Sequence, residues 1–323
     1  MSRRVPTKAA EFPCNRRVWL AGLGAAWLAH QGSALHAQTA DDPKAEKEVR
    51  DRAKDVGIKT IFSHTTAHYV GIGNAPDRFI LKALQICESL ERDYRSHFAF
   101  KGFAVRPPAR RLTVVALADA KSYAAFSGQE PVLGEGGHYD IDNNRLIIFD
   151  NRAQGELTVQ QAERANLISL VHEAMHQLTF NTGLLDREAD VPLAISEGLA
   201  TYAEQREPVG STRLGQKNHG RLDGLRMARE KDRNAWIPVS QLLTDDKPFL
   251  GEGSELQTQL AYAESWVLVY ELLKPAKPAH FRDYLEAVAT RNDASHRLDD
   301  AKQHLGDLTK LDRQLQQAGA QML

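Results

Sequence analysis

The chain has 323 residues, enough for one large or two small domains, and its 42% hydrophobic and 26% charged residues are the balance of a folded globular protein. A formal net charge of −1 argues against a partner gathered by bulk charge, such as nucleic acid or an acidic membrane surface. Two cysteines, Cys14 and Cys87, exclude a disulfide framework and a thiolate metal cage.

Residues 1–37 read as an export signal. A basic stretch ends at Arg16-Arg17, the apolar run VWLAGLGAAWLA follows, and small and polar residues lead to a cut after Ala37. The arginine pair before Val18 resembles a twin-arginine signal, although Trp19 and Ala21 depart from its usual residues. An apolar run of about a dozen residues is short for the roughly 30 Å hydrocarbon core, so no membrane span is expected in the mature chain. The expected location is the periplasm or outside the cell.

Residues 38–57 are charged and helix-prone, which suggests a solvated lead-in. The folded domain is expected over 58–323, with a 58–156 lobe of mixed structure and a helical 157–323 lobe. IKTIFSH and AHYVGIG read as strands, with a break at His64 to Thr66. Ile80, Leu84, Cys87, Leu90 and Tyr94 then recur at helical spacing, so Cys87 is expected to be a buried thiol. RLTVVALA is a β-branched strand, DAKSYAAF a short helix, and GGHYDIDNNRLIIFDN two strands around Asp142-Asn143-Asn144. After residue 156 the strands stop. Helices are expected at about 158–181, 191–206, 212–232, 255–273, 278–290 and 296–321. The basic stretch 213–233 also carries Asp223, Glu230 and Asp232 and reads as a solvated helix face.

The segment LVHEAMHQLTF, residues 170–180, holds the chemistry. Thr158 and Gln161 form a capping-box pattern that starts its helix, and Asn181 with Gly183 can end it. Leu167, Val171, Ala174 and Leu178 form one apolar stripe. His172 and His176 lie one turn apart, about 40° around the axis, where two imidazoles can hold one metal ion. Glu173 is badly placed as a ligand beside His172 but can reach a water on that ion. PLAISEGLATYAE, residues 192–204, supplies a third ligand. Glu197 lies in an apolar segment where an unpaired carboxylate is costly, and Gly198 beside it gives room for two helices to approach. His172, His176 and Glu197 make a two-histidine, one-glutamate zinc set with a position left for water.

HEAMHQLTFNTGLL followed by PLAISEGLATYAE resembles the glutamate-zincin, or peptidase-MA-like, clan of metallopeptidases. It is most similar to a bacterial family catalogued as domain of unknown function 1570. The likeness extends upstream to GGHYDIDNNRLIIFD and downstream to YAESWVLVYELL, roughly residues 60–275. The resemblance implies an α+β, zincin-like fold: a small mixed sheet packed on the active-site helix, with a mainly helical C-terminal lobe. It implies Zn²⁺ on His172, His176 and Glu197, Glu173 as general base, and a peptide or protein substrate. Many clan members carry an aspartate one turn after the glutamate ligand. Thr201 stands there in this chain and Glu204 one turn later, so either can back a histidine. Tyr262 is the candidate for stabilising the oxyanion, and His138 and Tyr139 for an edge strand that pairs with substrate. The expected activity is therefore zinc-dependent peptide hydrolysis. The alternatives are a catalytically silent peptide-binding envelope protein and a zinc hydrolase of non-peptide amides or esters.

Overall fold

The computed structural model describes residues 39–131, 136–155, 157–206, 214–250, 252, 254–275 and 278–323. The expected signal over residues 1–37 lies outside them.

A five-stranded mixed sheet organises the N-terminal half. Its strands are β1 (Phe62–Thr65), β2 (Tyr69–Gly73), β3 (Leu112–Leu117), β4 (Gly137–Asp140) and β5 (Arg145–Phe149), in the order β1-β2-β3-β5-β4. The inner pairs β2–β3 and β3–β5 are parallel, and both edge strands run antiparallel to their neighbours. Period-two alternation feeds two cores. Val114, Ala116, Leu146 and Ile148 face one layer, formed with helices α2 (Asp77–Phe100) and α4 (Val159–Asn181). Val115, Leu117, Ile147 and Phe149 face the other, with Val49 and Ala53 of α1 (Pro43–Asp55) and Tyr123 and Phe126 of α3 (Ala120–Ser127). Burial on both faces is why β3, Thr113 apart, reads as a nearly continuous apolar run.

The structure corrects the reading of the lead-in. Helix α1 is charged on most of its surface, but Val49 and Ala53, one turn apart, are buried against the sheet. The first expected strand also shortens: Ile58 and Ile61 lie outside β1 and pack on that same core. Cys87 is fully buried on α2, and burial pushes its thiol well above the ordinary range.

The C-terminal half is helical: α5 (Leu193–Thr201), α6 (His219–Lys231), the single turn α7 (Val239–Leu242), α8 (Glu255–Leu272), α9 (Pro278–Val288), α10 (Arg297–Leu305) and α11 (Leu308–Met322). The one helix expected over 296–321 is two. Gly306 adopts φ 83° and ψ −143°, a conformation open to glycine and not to a continuing helix. Gly198 allows a close approach, but not the one its position beside Glu197 suggests. A Cβ there would stand 2.6 Å from the Ser265 carbonyl oxygen, so it is α8 that comes close to α5. Among the described residues no helix is long and apolar enough to cross a membrane.

Away from the cleft, His97 on α2 carries a pH dependence. Its Nε2 lies 3.1 Å from the Tyr202 hydroxyl. Burial, with Lys101 nearby, lowers its pKa to about 4. The unfolded chain protonates this ring near pH 6.5, before the folded chain does. The neutral ring's contribution is therefore complete above that pH and drains away as pH falls from about 6.5 towards 4. His97→Asn is expected to flatten that part of the Tm-against-pH curve. Parallel curves for the two proteins between pH 7 and 4 would contradict this origin.

Candidate metal centre and cleft

Helix α4 forms as its sequence dictates. The Thr158 hydroxyl accepts from the Gln161 N–H at 3.3 Å, while the Gln161 side chain accepts from the Thr158 N–H at 3.0 Å. Val171, Ala174 and Leu178 are buried and Leu167 is partly buried along the apolar stripe. The neighbouring face points His172, Glu173 and His176 into a cleft of about 740 Å³.

Helix α5 brings Glu197 to the same point. Its start is tied down by charge: Arg297 of α10, itself buried, bonds both Asp190 oxygens at 2.6 and 2.8 Å and Asp246 at 2.8 Å. Asp246 in turn accepts the Leu193 N–H at 3.0 Å, at the first residue of α5. His172 Nε2 and Glu197 Oε2 lie 3.1 Å apart, the two histidine Nε2 atoms 3.2 Å, and His176 Nε2 and Glu197 Oε1 3.5 Å. The donor atoms of the three residues all fall within 4.8 Å of one another, a spacing that could hold one metal ion.

The far side of each ring is held as well. His172 Nδ1 is 2.8 Å from Glu204 Oε1, and His176 Nδ1 is 3.0 Å from Ser196 Oγ. Glu204 is buried and receives Asn218 Nδ2 at 2.6 Å, Arg221 Nε at 3.1 Å and a second Arg221 nitrogen at 2.5 Å. Burial favours a neutral Glu204, but the bond from His172 and the Arg221 charge bring its pKa down to about 2. Glu197 likewise resists burial and is held well below the carboxylate range by His176 and His172. Burial also works against a charged His172, yet its bonds to Glu197 and Glu204 raise its pKa well above the ordinary value.

Glu173 differs from these. Burial raises its pKa, and the histidine charges only partly offset that. Its Oε2 accepts the Tyr139 backbone N–H at 2.7 Å, which fixes the carboxylate between α4 and edge strand β4. A carboxylate shifted upward and aimed into a cleft has the character of a proton acceptor working nearer neutral pH.

The remaining candidates divide. Thr201 does not back a histidine: its hydroxyl donates to the Glu197 carbonyl at 2.8 Å and the Gly198 carbonyl at 3.0 Å, within its own helix. Glu204, past the end of α5, takes the contact with His172. Tyr262 lines the cleft, with its ring 5.0 Å from the Arg221 guanidinium carbon and 5.4 Å from the Phe249 ring. His138 and Tyr139 lie on β4 and line the cleft, but their polar tips turn to neighbours. His138 Nδ1 is 2.6 Å from the Tyr123 hydroxyl, and the Tyr139 hydroxyl donates to Asn144 at 2.7 Å.

Sequence reading passed over Ser196, Asn218 and Arg221. Arg221 lies in the stretch read as a solvated face; it is in fact drawn inward by Glu204. Asn218 carried a local signal, since it caps α6 by accepting the Arg221 N–H at 3.2 Å. Its amide reaching Glu204 had none.

No curated protein matches the chain. Residues 166–294, which contain the three converging donors together with Glu173, Glu204, Arg221 and Tyr262, match the model of a family described as a protein of unknown function (DUF1570).

Proposed function

We propose that the chain is an exported zinc metallopeptidase of the glutamate-zincin type, with a zincin-like arrangement of sheet and active-site helix. The observation that carries this reading is the convergence of His172, His176 and Glu197 within 4.8 Å, beside a half-buried Glu173 that is not one of the three.

The donor set fits zinc. Both imidazoles turn Nε2 to the common point, and both Nδ1 atoms are within hydrogen-bond distance of oxygen. A ring that donates its Nδ1 proton keeps its Nε2 lone pair for a metal. With the His172 proton given up on metal binding, two neutral imidazoles and one carboxylate would make a catalytic zinc set with room for a water. When bound, zinc supplies a Lewis acid that lowers the pKa of water and polarises a carbonyl.

This chain's own residues do the rest. Glu173 takes the proton of the attacking water on a carboxylate oxygen and passes it to the leaving amine nitrogen. Tyr262, on the cleft wall, offers a phenol hydrogen to the developing oxyanion. Strand β4 is an edge strand, and apart from the Tyr139 N–H that Glu173 accepts, the open side of its backbone can align an extended peptide by main-chain pairing. Glu204, fixed by Arg221 and Asn218, orients His172.

Purified chain refolded with zinc is expected to hold about one zinc per molecule, by the three-ligand stoichiometry. It is expected to cleave members of an unbiased peptide library, read by mass spectrometry. Failure to bind zinc would end the metal reading. Zinc without peptide cleavage would turn the assignment to a peptide-binding protein or a hydrolase of other amides or esters.

A further inference from the structure

A second cavity, of about 560 Å³, opens on the other side of α4. Leu167 and Leu170 line it, while His172 and His176 face the cleft, about half a turn away at 100° per residue. The two spaces therefore share one helix and no wall residue. The floor of the second is apolar, built from Phe79, Ala83, Ile86, Phe149, Leu167 and Leu170. Its polar lining carries four cations beside the neutral Gln160 and Asn166 and one carboxylate. Arg78 and Lys82 come from successive turns of α2, Arg164 from α4, and Arg152 from the short turn after β5. Against these stands Glu163, 3.9 Å from both Lys82 and Arg152. Arg152 is also neutralised by Asp150, which it grips at 2.6 to 3.1 Å. Arg78 and Arg164 are exposed and have no hydrogen bond or ion pair among the described residues. Four cations against two carboxylates leave a positive rim over an apolar floor.

We propose that this cavity binds a single-chain anionic amphiphile of the fatty-acid class, with the hydrocarbon on the Phe79–Leu170 floor and the carboxylate between Arg78 and Arg164. Its volume is that of a small-molecule site, and such sites pair an apolar lining with a few placed polar groups. The free guanidinium groups select the charge, since planar forks match carboxylates. The site is independent of the chemistry in the cleft.

Titration calorimetry on the full chain with monomeric dodecanoate tests this. One molecule is expected to bind, and dodecanol, equal in chain but uncharged, to bind about tenfold more weakly or worse, as the loss of a charge-assisted hydrogen bond implies. The double variant Arg78→Glu, Arg164→Glu changes two exposed positions and should keep the wild-type Tm while losing at least about tenfold in dodecanoate affinity. Ala83→Phe, which fills the floor, should weaken both ligands. Equal affinity for acid and alcohol, or unchanged binding in the double variant, would overturn the proposal. So would no dodecanoate binding, or binding only to phosphatidylglycerol vesicles.

Discussion

Replacing Glu173 by Gln is expected to lower peptide hydrolysis by about 10²–10⁴-fold while the zinc content stays at the wild-type level. Glutamine keeps the size of the side chain, and its amide oxygen can still accept the Tyr139 N–H that holds Glu173. What it loses is a carboxylate able to take a proton. The three converging donors are untouched, so metal content separates a base from a ligand. The matched variant is Glu197→Ala. It removes one of three donors and the only anion among them, and zinc is expected to be lost with activity. Loss of zinc from Glu173→Gln as well would show that Glu173 serves the metal, and undiminished hydrolysis would remove it from the mechanism.

Glu204→Ala is expected to weaken zinc affinity by about 10–100-fold, the usual cost of removing the hydrogen-bond partner of a histidine ligand. Glu204 holds His172 at Nδ1 and is itself held by Arg221 and Asn218. Without it His172 loses the acceptor that fixes its tautomer, and a partly buried guanidinium loses its carboxylate. Glu204→Gln should fall between, because an amide oxygen can accept from Nδ1 but supplies no charge. Competition with a chromophoric chelator gives the zinc affinity of all three proteins. A Thr201→Val variant is the contrast: the Thr201 hydroxyl bonds only its own helix carbonyls, so its zinc affinity should match the wild type. Equal zinc affinity for wild type and Glu204→Ala would remove Glu204 from this role.

Local regularities carried a good part of the architecture. The capping box at Thr158, the apolar stripe through Val171 and Leu178, and the β-branched, mainly apolar runs of β3 and β5 are short-range patterns, because helices and strands impose fixed periods and preferences on neighbouring residues. The same period places His172, Glu173 and His176 on one face of α4. Glu197 could be picked out as well, since a carboxylate in an apolar segment demands a partner.

What tertiary structure decided are the contacts between elements whose mutual approach no local period encodes. Arg221 reads as one more charge in a basic helix, yet packing brings it to Glu204, 17 residues away, and turns a surface cation into a fixture of the site. Thr201 sits where a histidine's partner was expected, but the hydroxyl of a buried helical threonine reaches the carbonyl of the preceding turn more readily than a ring on another helix. Gly198 announces a close approach without saying of what, and only the packed structure shows the Ser265 carbonyl of α8 there. Glu197 itself illustrates the division. Its place in an apolar segment is written locally, but the point at which it meets the histidines is set by Arg297, a hundred positions later, whose bonds to Asp190 and Asp246 hold the start of α5 in place.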